Sequence, residues 1–179
     1  KVGVAYYDQA RNHFEESLSL RKKVFGDKHL DVADVLFSIA LLNLKTDDYG
    51  NAIKFMEQAL EIRKVQLGNS HVLVALTMHS MGDIKFSSAK FDEKLNGKFN
   101  ELLNGTSDKA YDPKFDEALS FYASALETKE LIEDGSNHLS IAETVYCMAN
   151  THVEMGQKNR AMKFYERALQ LKAAVLGED

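Results

Sequence analysis

At 179 residues the chain is long enough for one domain with a substantial core, and its 45% apolar and 27% charged residues sit within the range of soluble globular proteins. A formal net charge of −5 gives no electrostatic reason to bind nucleic acid, whose affinity rests on neutralising phosphates with Lys and Arg. No apolar run approaches a membrane span, no signal-peptide pattern opens the chain, and the single cysteine, Cys147, excludes an internal disulfide framework and fits a reducing, intracellular and cytoplasmic setting.

One Pro and ten Gly favour helices over long loops. Residues Tyr6–Phe25 read as a first helix with Phe14, Leu18 and Leu20 on its apolar side. Gly26 closes it by supplying a left-handed residue. A full unit follows at 29–68. Its first helical run carries Val32, Leu36, Ile39 and Leu42, with Ala33 and Ala40 between them. After a polar break at Lys45–Asp48 a second run carries Tyr49, Ala52, Ile53, Met56, Ala59, Leu60 and Ile62. Both show the i, i+3, i+4, i+7 spacing of amphipathic helices. Asp47 and Asp48 open the second run, where a carboxylate caps free N–H groups. Tyr7 and Ala10 match Tyr49 and Ala52, so the first helix of the chain is a second helix without its partner.

The next unit spans 71–135, and its first helix holds Val74, Ala75, Met78, Met81 and Phe86. Phe91, Leu95, Phe99, Leu102 and Leu103 continue at helical spacing, which predicts a separate short amphipathic helix over 90–104. Asn104–Asp108 is a strong turn signal, and Asp112-Pro113 restarts the regular second helix, because Pro is tolerated at a helix start and not inside one. The last unit covers 138–177.

The repeat shows in the glycines. Gly26 and Gly68 lie 42 residues apart, as do Gly135 and Gly177, whereas Gly68 and Gly135 lie 67 apart. The surplus has a visible place: KFDE at Lys90–Glu93 recurs at Lys114–Glu117, which predicts an insertion at about 94–113. Small residues keep register at Ala40, Gly82 and Ala149 in the first helices, and at Ala52, Ala118, Ala161 and Ala59, Ala125, Ala168 in the second. A fixed period of this size signals a solenoid. Lys1 is not an initiator Met, and the sequence stops where another unit would begin, so it is read as a fragment whose remainder packs on the repeat ends.

The spacing of Ala40, Ala52 and Ala59, with the phrases QALEIRKVQLGNSHVLVA and RALQLKAAVLGED, resembles tetratricopeptide repeats (TPR) of the 42-residue variety found in kinesin light chains. The resemblance implies an all-α, TPR-type α-solenoid, a right-handed superhelix of helix–turn–helix repeats, here with one inserted segment. It departs where Leu30, Val72 and Leu139 replace the usual Pro, and where Phe37-Ser38, His79-Ser80 and Tyr146-Cys147 replace paired Asn. The Lys/Asn pattern with which some relatives clamp a terminal carboxylate is absent, which argues against chaperone tails as ligands.

No constellation for catalysis, cofactor or metal emerges. His29, His71 and His138 recur once per unit, so they cannot converge on one ion and belong to the inter-repeat turns. His79 and His152 read as satisfied groove or surface histidines. Cys147 lies among Val145, Met148 and Ala149 with no basic neighbour in sequence, so it reads as an inert thiol. The pairs Glu15-Glu16, Asp47-Asp48 and Glu133-Asp134 diverge on a helix and form no acid/base dyad. Met56, Met78, Met81, Met148, Met155 and Met162 fall at helical spacing and read as core filler.

One surface is left for function. In the resembled architecture the first helices line a concave groove, and the register places Phe37, His79 and Tyr146 on it, with Leu41, Asp83 and Asn150 beside them. The expected function is a non-enzymatic scaffold that binds a protein partner's peptide or helix there. The alternatives are an assembly subunit docking through its ends and insertion, and a sensor module of a larger signalling enzyme.

Overall fold

In the computed structural model the described residues form seven α-helices: α1 (Val2–Phe25), α2 (Leu30–Lys45), α3 (Tyr49–Leu67), α4 (Val72–Asn104), α5 (Lys114–Leu131), α6 (His138–Glu154) and α7 (Lys158–Leu176). The structure describes residues 2–104, 112–132 and 138–177, with side chains for all of these but 2–5, 99–104 and 176. The turn signal at 105–108 and the register glycine Gly135 lie outside them. Three hairpins, α2/α3, α4/α5 and α6/α7, follow the unpaired α1, and each helix packs on the next in chain order. Among the described residues α4 also touches α6, and the core is a string of clusters and not a central mass.

Local chemistry sets the boundaries. Gly26, Gly68 and Gly177 take φ of 83°, 79° and 70°, a conformation costly for residues with a Cβ, and their N–H groups close the preceding helices on carbonyls four residues back. Two of the recurrent histidines are helix caps: His29 Nδ1 accepts from the Asp31 N–H (3.2 Å) and His71 Nδ1 from the Leu73 N–H (3.1 Å). Asp48 caps α3 by accepting from the Asn51 N–H (3.2 Å). The small residues in register are fully buried, and at Gly82 the requirement is sharp. A Cβ there would lie 2.5 Å from the ring of Tyr122, so only Gly lets α5 close on α4.

Three expectations change. The segment 90–104 is not a helix of its own but the continuation of α4, which at 33 residues is about 26 Å longer than the 16-residue α2. The cause lies at one position. The turn that ends the first helix is made by Asp47 (φ 59°) in one unit and Gly156 (φ 73°) in another; the residue in that register between them is Ala89. Alanine resists positive φ, so the helix runs on. The extension is tied down by ion pairs from Lys90 to Glu93 (3.1 Å) and Glu154 (2.8 Å) and from Lys114 to Asp92, and by Phe91 against Tyr49 at 5.6 Å. Leu20, expected on the apolar side of α1, is 55% exposed, and Met162, expected in the core, is 57% exposed.

Candidate functional site

The second helices carry a cation four residues after their second small residue: Arg63 after Ala59, Lys129 after Ala125, Lys172 after Ala168. Burial of an ammonium or guanidinium is costly without partners, so each buried one shows what its site provides. Arg63, 3% exposed, donates to the Thr77 hydroxyl (2.7 Å) and the Leu73 carbonyl (3.3 Å) of the next first helix, pairs with Asp34 (2.8 Å), and lies 4.6 Å from the centre of the Phe37 ring. Lys129 repeats the pattern one unit on, donating to the Thr144 hydroxyl (2.7 Å) and the Ser140 carbonyl (3.0 Å). Burial pulls its ammonium below the ordinary lysine value. Arg21 makes the same reach from α1, to the Asp31 carbonyl at 3.1 Å. A basic residue of the second helix therefore clasps the first turn of the helix that follows.

The fourth member, Lys172, approaches the ring of Tyr146 (5.7 Å from its centre) as Arg63 approaches Phe37, and no following helix covers it among the described residues. Its stripe on α7 is open as well. Leu169, 69% exposed, holds the register of Leu60 and Leu126, which pack against the next first helix alongside Val74 and Met78 and alongside Ile141 and Val145. Exposed Met162 holds the register of Ile53 and Leu119, half-buried beside Met81 and Ile84 and beside Met148.

The residues expected to line the groove separate. Leu41 and Tyr146 are open to solvent, the latter 46% exposed and tilted against Tyr165 at 5.6 Å. Asn150 accepts from the Tyr165 hydroxyl at 2.6 Å and is half-buried, as is Asp83. Phe37 is half-buried within two core clusters under Arg63. His79 is 7% exposed and sits at the meeting point of α4, α5 and α6. Its Nδ1 lies 3.1 Å from the Thr144 hydroxyl, its ring tilts against Tyr122 at 5.4 Å, and burial lowers its pKa to about 4. Asp83 accepts from the Tyr122 hydroxyl (2.7 Å), and burial raises its carboxyl above the ordinary range. Burial pushes the half-buried Cys147 thiol up to about 12, which keeps it protonated at neutral pH. The sequence reading passed over the clasp cations and the threonines Thr77 and Thr144. Their signal was present: a basic residue at one fixed register in four second helices and a Thr at one fixed register in two first helices.

Hairpins stacked in a row through one repeated junction define an α-solenoid repeat protein. Tetratricopeptide repeat profiles match residues 7–64 and residues 142–179, together more than half of the chain. The chain belongs to the tetratricopeptide repeat family. No curated protein sequence matches it. Among solved structures, BtubC (BKLC) from P. vanneervenii superposes on 97% of the chain with a TM-score of 0.76 at 17% identity, and the chain spans 59% of that protein's length. A kinesin-light-chain-like protein of nearly identical TPR-like repeats from Podosopora anserina aligns over 97% of the chain and 90% of its own, with a TM-score of 0.45 at 13% identity. Repeats of this family are protein-interaction scaffolds. Among the described residues no helix is long and apolar enough to cross a membrane.

Proposed function

We propose that the protein is a non-enzymatic scaffold that receives an amphipathic helix on its α6–α7 end, supplied by the rest of a longer chain or by a partner protein. One observation carries this reading: Met162, Leu169 and Lys172 hold the register of residues that elsewhere bury themselves in, and clasp, the following helix. The chemistry of the occupant follows from the junctions already filled. It has an apolar face for Met162 and Leu169, a free carbonyl in its first turn for Lys172, and a Ser or Thr four residues later, as Leu73–Thr77 and Ser140–Thr144 provide.

A fluorescent peptide of residues 71–89, which carries Leu73 and Thr77, is the probe. It should bind the protein saturably, and Lys172→Met should weaken binding by about tenfold or more, the loss expected for one hydrogen bond to a charged group. A peptide with Thr77→Val should lose a similar factor on the native protein and nothing further on Lys172→Met. Equal binding by both proteins would remove the end face from consideration.

A second reading, a peptide lying along the first helices, is supported by the row Asp34, Leu76 and Glu143, which is exposed in all three units, beside open Leu41 and Tyr146. It calls for an extended or helical peptide with an apolar anchor and basic flanks. Asp34→Lys and Glu143→Lys together should slow association of such a peptide and leave the binding of peptide 71–89 unchanged.

A further inference from the structure

The junction of α4, α5 and α6 holds three potential ligand atoms of three chemical kinds. His79 and Asp83 stand one turn apart on α4 and Cys147 faces them from α6; one donor atom from each lies within 4.8 Å of the other two. His79 Nε2 faces Asp83 Oδ2 at 3.6 Å, beyond hydrogen-bond reach. A count of protons explains why the gap matters. The Thr144 hydroxyl gives its single proton to the Ser140 carbonyl (3.0 Å) and accepts from Lys129 Nζ (2.7 Å). With that proton so placed its remaining lone pair accepts, and the contact with His79 Nδ1 (3.1 Å) favours the tautomer that carries the imidazole proton on Nδ1. Nε2 then presents a bare lone pair to a carboxylate oxygen. Two acceptors thus face each other, the imidazole buried and the carboxylate partly open to solvent, with a thiol sulfur beside them.

We propose that His79 Nε2, the Asp83 carboxylate and Cys147 Sγ bind a Zn²⁺ ion, with water in the fourth position. The donor set decides the metal. A thiolate and an imidazole discriminate against Mg²⁺ and Ca²⁺, which take oxygen ligands, and three mixed N, O and S ligands with one open position suit tetrahedral zinc. The outer partners are in place. Thr144 favours that histidine tautomer through Nδ1, and Tyr122 holds the other oxygen of Asp83 at 2.7 Å, the kind of support that orients metal ligands. The charges close as well: thiolate and carboxylate together neutralise the dication, so Lys129 nearby meets no net positive site. Binding converts the Cys147 thiol to a thiolate and releases one proton to the buffer. The raised thiol pKa describes the metal-free protein, and a coordinated dication reverses it. The ion would link α4 to α6 across a repeat boundary and so stiffen the array where the second and third units meet.

The reduced protein is titrated with Co²⁺ as a spectroscopic substitute. The expected result is one equivalent of tetrahedral Co²⁺, with a thiolate-to-metal band that is displaced by Zn²⁺ and abolished by chelator. Cys147 is the only cysteine, so that band reports this residue alone. Asp83→Asn retains an oxygen for the Tyr122 hydroxyl and should weaken Co²⁺ by about tenfold or more, the lower end of what even an outer-shell loss costs. Zn²⁺ should raise the melting temperature of the native protein and not that of Cys147→Ala, with circular dichroism showing both folded. Absence of the band in folded native protein overturns the site. So does a band whose affinity is unchanged in Asp83→Asn, since the thiol would then be binding metal without its neighbours.

Discussion

Removing one partner of a buried charge and removing both are physically different, and the Arg63 junction separates them. Thr77→Val keeps the shape of the side chain but deletes the hydroxyl that accepts from Arg63 at 2.7 Å. Arg63 is 3% exposed, so water does not replace the lost acceptor, and the Leu73 carbonyl at 3.3 Å is a weaker substitute. A hydrogen bond to a charged group contributes about 1.5–3 kcal/mol. For a chain of this size that corresponds to a fall of roughly 3–12 °C in melting temperature. Arg63→Met should cost much less, because the Thr77 hydroxyl still donates to the Leu73 carbonyl (2.6 Å) and half-exposed Asp34 returns to water. The double variant should then resemble Arg63→Met, giving a coupling close to the full cost of Thr77→Val in a urea-denaturation cycle. A Thr77→Val loss under about 0.5 kcal/mol, or a double variant equal to the sum of the singles, would refute the clasp as a real interaction.

Gly82→Ala should destabilise by about 1–3 kcal/mol, because its Cβ meets a Tyr122 ring that is fully buried and anchored on Asp83; pairing it with Tyr122→Leu should recover part of that loss in the same denaturation assay. His79 has its pKa lowered to about 4 by burial, so below the ordinary value of 6.5 the unfolded chain takes up a proton that the folded chain refuses. Stability should therefore fall as pH drops from about 6.5 toward 4, and His79→Gln should flatten that slope; Asp83, raised by burial, pulls the opposite way, so the difference between the two proteins is the quantity to read. In the absence of metal, alkylation of Cys147 should be slow at pH 8 and still be climbing above pH 10, with no plateau where a free thiol levels off near its pKa of about 8.5. Ala89→Gly should allow α4 to end where α2 and α6 end, and proton exchange at backbone amides 90–98 should speed up relative to the native protein.

The helices and their pairing were legible because helix formation here depends on local pattern: small residues in register, glycines at positive φ, and apolar spacing that favours a helix without knowledge of its neighbours. The end of α4 was misread for a related reason. The duplicated KFDE and the apolar spacing suggest a break, whereas Ala89 is the position whose backbone preference decides whether the chain can turn. The site was less legible. Phe37, His79 and Tyr146 occupy one register and meet three environments, because what covers a first-helix residue depends on long-range neighbours: Arg63 and the core clusters over Phe37, Thr144 and Tyr122 around His79, Tyr165 and Lys172 beside a half-open Tyr146. Cys147 reads as isolated along the chain, and only the packing of α6 against α4 brings it to His79 and Asp83.

The docking face is tested most directly by mapping backbone and methyl resonances of the isotope-labelled protein while unlabelled peptide 71–89 is added. Perturbations should concentrate at Met162, Leu169, Lys172 and Tyr146, saturate together, and vanish in Lys172→Met. Shifts that run instead along Asp34, Leu41 and Leu76, or that survive unchanged in Lys172→Met, would contradict a helix-receiving end on this scaffold.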